Sequence, residues 1–189
     1  MSTSVRVTVA QYDAMIARGE FEPREDHHVE LIEGEIVPMS PIGHLHENSL
    51  ERLTRWSYLH GPVEQVRIRV QDSLGLPGLD SVPQPDLAWV RDRSYDDGRP
   101  EASDLLLLVE VADSSLHKDL TTKARLYATA GVADYWVVDV QGRQVEVHRH
   151  PRDGAYRAVR AYRPGEEIRP AAFPEVAFPV DVLFPPEHP

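Results

Sequence analysis

Two periods of hydrophobic and polar residues organise the chain. Leu105 to Ala112 is an almost unbroken apolar run interrupted by Glu110, the pattern of a strand buried on both faces. Pro85 to Val90 reads as a shorter strand with Asp86 at its entrance. The linker Arg91 to Asp104 carries Asp96-Asp97-Gly98-Arg99-Pro100, a turn cluster that predicts an antiparallel return. A register that sets Asp86 against Glu110 also sets Ala88 against Leu108 and Val90 against Leu106, all on one face. Lys118 to Ala130 then has a helical period and stops at Gly131, a good C-cap. At ~100° per residue its buried stripe is Leu120, Ala124, Leu126, Tyr127 and Ala130, with Lys123 inside it and Asp119 on its inner edge. The same wheel puts Lys118, Thr121, Thr122 and Arg125 on the solvent side.

Elsewhere the pattern is more conventional. Thr8-Val9-Ala10-Gln11 resembles a capping box, followed by a short amphipathic helix with Val9, Tyr12 and Ile16 on one face, expected to cover an edge of the sheet. Glu20 to His28 is charged, contains Pro23 and reads as a loop. Val29 to Met39 predicts a hairpin turning at Glu33-Gly34, with Glu30 and Ile32 on one face and Glu33 and Glu35 solvated. His46 to about Leu59 predicts a helix with His46, Leu50, Leu53 and Ser57 on one face and Trp56 beside them. Val63 to Val70 alternates as a strand with Arg67 and Arg69 on a solvated face. Asp134–Val140 and Val145–Arg149 form a second hairpin, and Tyr156 to Tyr162 adds a strand. The proline-rich stretch from Pro164 onward is expected to lie extended on the surface.

Chemistry concentrates where these elements meet. Two like charges side by side in a buried sheet repel and lose solvation, so the Asp86–Glu110 pair calls for a cation or a proton. A hard divalent metal held by carboxylate oxygens is the natural solution. Lys123 points inward beside them; the plainer alternative is that it snorkels to solvent and pairs with Asp119. His44-x-His46 and His27-His28 raise zinc as a weaker reading without a third motif.

Gln84-Pro85-Asp86, Val109-Glu110-Val111-Ala112-Asp113-Ser114-Ser115-Leu116, Asp119 with Lys123, and Ala130-Gly131-Val132-Ala133-Asp134-Tyr135-Trp136-Val137-Val138-Asp139 together resemble the Uma-family restriction endonucleases of the PD-(D/E)XK nuclease superfamily. Glu30-Leu31-Ile32-Glu33-Gly34-Glu35, Met39-Ser40-Pro41 and His46 extend the resemblance over most of the chain. One departure is visible: the superfamily places lysine two residues after the acid, whereas position 112 is alanine. Lys123, from the following helix, takes that place. The resemblance implies Asp86, Glu110 and Lys123 as the catalytic set and Mg2+ or Mn2+ as cofactor. It implies the Val111 carbonyl and Glu30 as further metal ligands, with His46 and Asp119 in support.

Length, composition and charge bound this reading. At 189 residues the chain suits one domain, with a helix and loop over 1–28, a core over 29–140 and a hairpin and tail over 141–189. No cysteine is present, which excludes thiolate sites and fits a cytoplasmic address. No apolar run is long enough to span a bilayer, and no signal peptide is recognisable. The net charge of −11 runs against a duplex-DNA grip, which normally shows a basic patch. The expected fold is α/β: a restriction-endonuclease-like mixed central sheet flanked by helices. The expected function is a metal-dependent phosphodiester hydrolase, foremost a DNA endonuclease, with DNA and a second copy of the chain as expected partners. The alternatives are an inactive binding or assembly module of the same fold and a metal-dependent hydrolase of another phosphoester.

Overall fold

The computed structural model describes residues 6–21 and 29–185. The expected loop around Pro23, the His27-His28 pair and the last prolines therefore lie outside the described residues, apart from Glu20 and Phe21. Six strands form the central sheet: β3 (Val66–Val70), β4 (Leu87–Arg91), β5 (Leu105–Ala112), β6 (Asp134–Asp139), β7 (Gln144–Arg152) and β8 (Ala155–Tyr162), in that spatial order. β5 and β6 run parallel and every other neighbouring pair is antiparallel, so the sheet is mixed, as expected. Parallel neighbours need a crossover, and the helical run between Leu116 and Ala130 supplies it.

The register at the centre follows the apolar pattern for most of its length. Ala88 pairs with Leu108 and Leu87 with Val109, which carries Asp86 and Glu110 to the same end and the same face. Val90, however, pairs with Leu105 rather than Leu106, because the register shifts between Trp89 and Val90. An irregularity of this kind inserts a residue into one strand and is invisible to a strict period of two.

The sheet buries both faces. One carries Leu87, Trp89, Leu107, Val109, Val111, Trp136, Val138, Val145 and Val147, packed under α2 (His44–His60) and the C-terminal segment. The other carries Ala88, Val90, Leu108, Ala112, Tyr135 and Val137, packed under Ala124, Leu126 and Tyr127 of α4 (Ala124–Ala130). Burial on both faces explains why β4, β5 and β6 read as continuous hydrophobic runs rather than alternating ones.

Three expectations about the periphery change. The segment after Pro164 does not lie on the surface: Ile168, Phe173, Phe178, Val180, Leu183 and Phe184 are all buried in the core under α2. Phe178 meets Trp56 edge-on at 4.7 Å between ring centres. Prolines and three phenylalanines at irregular spacing have no helical or strand period, but each phenylalanine ring still removes a large apolar area from water. The N-terminal helix α1 (Val9–Ala17) has its capping box, with the Thr8 side chain and Gln11 reciprocally bonded. It covers the hairpin of β1 (Val29–Ile32) and β2 (Glu35–Pro38) rather than an edge of the six-stranded sheet: Tyr12 packs with Leu31 and Val82 and donates its hydroxyl to the Val29 carbonyl at 3.0 Å. β3 begins at Val66, because residues 63–65 form a turn closed by the Gln65 N–H on the Pro62 carbonyl.

Candidate active site

Asp86 sits one residue before β4, where the chain enters the sheet, and Glu110 sits near the end of β5. Both face the helical crossover, which has three pieces: α3 (Leu116–Lys118), a π-helical turn (Asp119–Lys123) and α4. The π turn is closed by the Ala124 N–H on the Asp119 carbonyl, a five-residue step instead of the usual four. Gly131 ends the run in the left-handed conformation at φ 85°, as its residue type predicts. With β1 and the first turns of α2, these elements enclose a pocket of about 70 Å³ lined by Glu30, His46, Asp86, Glu110, Lys118 and Lys123, among others.

The polar groups in this pocket are buried and closely bonded. Lys123, only 5% exposed, donates from Nζ to Glu110 Oε1 at 2.9 Å and lies 3.1 Å from Glu30 Oε1. Tyr127 donates its hydroxyl to the same Glu110 oxygen at 2.8 Å. Asp86 Oδ2 accepts the Val111 N–H at 2.8 Å, and Asp86 Oδ1 lies 3.0 Å from His46 Nε2. Glu30 Oε1 also accepts the Gln84 N–H at 2.8 Å, while its Oε2 takes Lys118 Nζ at 3.1 Å. Asp119 is buried and accepts from the Ser115 hydroxyl.

Charge balance sets the protonation of these groups. Burial and the carboxylates of Asp119, Asp86 and Glu30 push Glu110 well above the usual carboxylate range, against the pull of Lys123. Burial likewise raises Asp119, with Asp86 adding to it, although Lys123 and the Ser115 hydroxyl work the other way. Burial works against the Glu30 carboxylate too, yet Lys123, the Gln84 N–H and Lys118 together hold it below the ordinary value. Burial disfavours the Lys123 ammonium, but Glu110, Glu30 and Asp119 more than offset it, so the ammonium is retained. His46 is also buried, and the bond to Asp86 together with the charges of Asp86, Asp113 and Asp119 tips it toward the imidazolium.

Thus Asp86, Glu110, Lys123, Glu30, His46, Asp119 and Val111 all line one pocket. Two details differ from expectation. Asp119 forms no ion pair with Lys123; its carboxylate is held by Ser115, and Glu110 and Glu30 hold the ammonium instead. Lys118 stays partly exposed, but its ammonium reaches Glu30, because the π turn changes the angular phase between residues 118 and 123. Sequence reasoning also missed Tyr127, read only as core, and Gln84, whose backbone N–H fixes Glu30. Tyr127 lies four residues beyond Lys123, a spacing that could have signalled a shared partner.

The donor set suits a small hard cation rather than a soft one. Four buried carboxylates share the pocket with two ammonium groups, so negative charge is in excess there. Glu30 has both oxygens committed to lysines and a backbone N–H, and Asp86 has both of its oxygens bonded as well, to the Val111 N–H and to His46, whereas the donors on Glu110 meet at Oε1 and, among the described residues, leave its Oε2 without one. Among the described residues no group of three or more His, Cys, Asp or Glu side chains is spaced to hold a metal ion. A cation here would rest on two carboxylates, a backbone carbonyl and water. His44 is exposed on α2 while His46 is buried against Asp86, which separates that pair.

A mixed sheet with a parallel crossover and a carboxylate–lysine cluster at its strand ends defines a restriction-endonuclease-like fold. The crystal structure of a putative nuclease belonging to DUF820 from Anabaena variabilis shares that fold, with a TM-score of 0.71 at 16% identity over 94% of this chain and 97% of that one. The chain belongs to the Uma2 family, described as "Putative restriction endonuclease", whose profile matches residues 9–181. The type IIG restriction endonuclease BpuSI is a remoter likeness, at TM-score 0.39 and 13% identity over 62% of this chain and 14% of that one. No curated protein matches the chain in sequence. Among the described residues no helix is long and apolar enough to cross a membrane.

Proposed function

We propose that this protein is a metal-dependent phosphodiester hydrolase acting on DNA as an endonuclease. The observation that carries the reading is the convergence of Asp86, Glu110 and Lys123, from three elements, on one buried pocket in a chain of this family. Asp86, Glu110 and the Val111 carbonyl would hold Mg2+ or Mn2+, which when bound acidifies a water and neutralises charge on the phosphate. Lys123 keeps its ammonium among carboxylates, so a donor stands ready where negative charge grows in the transition state. Tyr127 fixes Glu110, and His46 fixes Asp86, so neither carboxylate must reorient as substrate arrives. Asp119 contributes negative charge near Lys123 without touching it.

The test is cleavage of supercoiled, linear and single-stranded DNA and of RNA, each with Mg2+, Mn2+ or EDTA. Metal-dependent cleavage that disappears in Asp86→Asn and Glu110→Gln supports the reading; a purified protein inert in every arm rejects it. The net charge of −11 favours a second reading, a binding or assembly module of the same fold. That module would show no specific Mn2+ binding at Asp86 and Glu110.

A further inference from the structure

The chain contains two lysines, Lys118 and Lys123, against eighteen arginines. Among the described residues its exposed ion pairs use arginine, as in Arg67 with Asp92, Arg93 with Asp104, Arg125 with Glu33 and Arg160 with Glu166. Both lysines instead line the same pocket and bond the same buried carboxylate, Glu30. In an α-helix residues five apart are roughly 140° apart at ~100° per residue, so one of the two would face away. The π turn, whose bonds span five residues, brings them to one side.

The two ammonium groups are not equivalent. Lys123 is buried and held between Glu110 and Glu30. Lys118 has a side chain 36% exposed and, among the described residues, pairs with one carboxylate, that of Glu30, through Oε2. An ammonium carries three donor hydrogens, so Lys118 keeps two directed elsewhere at the rim of the pocket. Glu30 does not depend on it alone, since Lys123 and the Gln84 N–H already hold the other oxygen. A group with spare donors, partial exposure and a replaceable partner suits an incoming anion. A compact ammonium on a flexible stem can swing to one without breaking the buried network.

We propose that Lys118 is a second functional lysine of the pocket, a substrate-positioning residue that donates to a non-bridging oxygen of a phosphodiester held at the mouth. The proposal rests on the phosphodiesterase reading for its kinetic consequence, though not for its binding one. No bond is made or broken by Lys118; it exchanges part of its contact with Glu30 Oε2 for the phosphate oxygen.

The test uses the full chain grown with lysine labelled with carbon-13 at the ε position. Two lysines give two ε signals, and Lys118→Arg assigns them by removing one. Titration with inorganic phosphate, and separately with a non-cleavable phosphorothioate dinucleotide, is run in EDTA. The Lys118 signal is expected to shift and saturate while the Lys123 signal moves little; a Lys118 signal unmoved by both ligands overturns the proposal. In cleavage assays Lys118→Ala should raise KM about tenfold, the scale of one charge-assisted hydrogen bond, with kcat within about threefold. An unchanged KM with only a lowered melting temperature would mean that Lys118 merely balances Glu30, and also overturns it. If the wild type cleaves nothing, the nuclease reading fails, yet the titration still decides whether Lys118 binds phosphate.

Discussion

Replacing Lys123 by methionine removes the buried ammonium while keeping a chain of similar length and an apolar filling. Glu110 then loses a 2.9 Å donor in a site where only the Tyr127 hydroxyl remains on the same oxygen. Glu30 is better placed, because Lys118 and the Gln84 N–H still hold it. Breaking a buried pair by removing one partner costs roughly 3–5 kcal/mol. The lower end applies, since burial already pushes Glu110 up and, once Lys123 is gone, it can take up a proton rather than remain an unpaired charge. About 3 kcal/mol corresponds to a fall in melting temperature of roughly 6–12 °C for a chain of this size. Glu110→Gln alone should cost little, because Lys123 keeps Glu30 at 3.1 Å. The double variant Lys123→Met/Glu110→Gln should recover at least about 2 kcal/mol of the loss, as expected of contacting residues in one network. Urea unfolding of the four proteins at pH 7 in EDTA completes the cycle. A Lys123→Met cost below about 1 kcal/mol, or a strictly additive double variant, would refute the claim that this lysine neutralises Glu110.

Glu110 has a folded-state value above its unfolded one, so the proton it holds stabilises the metal-free fold at low pH; that contribution is lost as pH rises above about 4.3 and through the raised value. Stability in EDTA should therefore fall more steeply with rising pH for the wild type than for Glu110→Gln, and equal slopes in urea melts from pH 4 to 8 would count against it. Mn2+ at a hundredfold excess over its dissociation constant should add about 2.7 kcal/mol of stability by mass action, a gain that differential scanning fluorimetry should find missing in Asp86→Asn. Phe178→Ala should destabilise by about 3–5 kcal/mol, because its ring is fully buried against Trp56 and Trp136. A surface-laid tail would instead tolerate that change within about 0.5 kcal/mol in denaturant melts.

Much of the site follows from local rules. A period of two places Asp86 with Ala88, and Glu110 with Leu108, on one face, and that pairing holds from Leu87 to Trp89. A period near 3.6 points Lys123 inward, and the left-handed cap falls at the glycine suited to it. The same reasoning treats Glu30 as a hairpin residue and His46 as the head of an apolar stripe, and both are buried at the pocket. These inferences work because backbone geometry repeats regularly, so residue type and spacing suffice.

Tertiary structure decided what no repeat encodes. The register slip beyond Trp89 and the π turn at Asp119–Lys123 each insert one residue into a regular element, and every phase after such an insertion changes. Hence Lys118, placed by the helical wheel in solvent, meets Glu30, 88 residues away in sequence. The segment after Pro164 is buried because Phe173, Phe178 and Phe184 find an uncovered sheet face beneath α2, not because of any pattern of its own. Protonation is likewise collective: the charge on Glu110 depends on Asp119, Asp86, Glu30 and Lys123 arriving from separate elements into a space that excludes water. Spacing along a chain reports angles within one element; these contacts depend on distances between elements, which exist only once the whole core has closed.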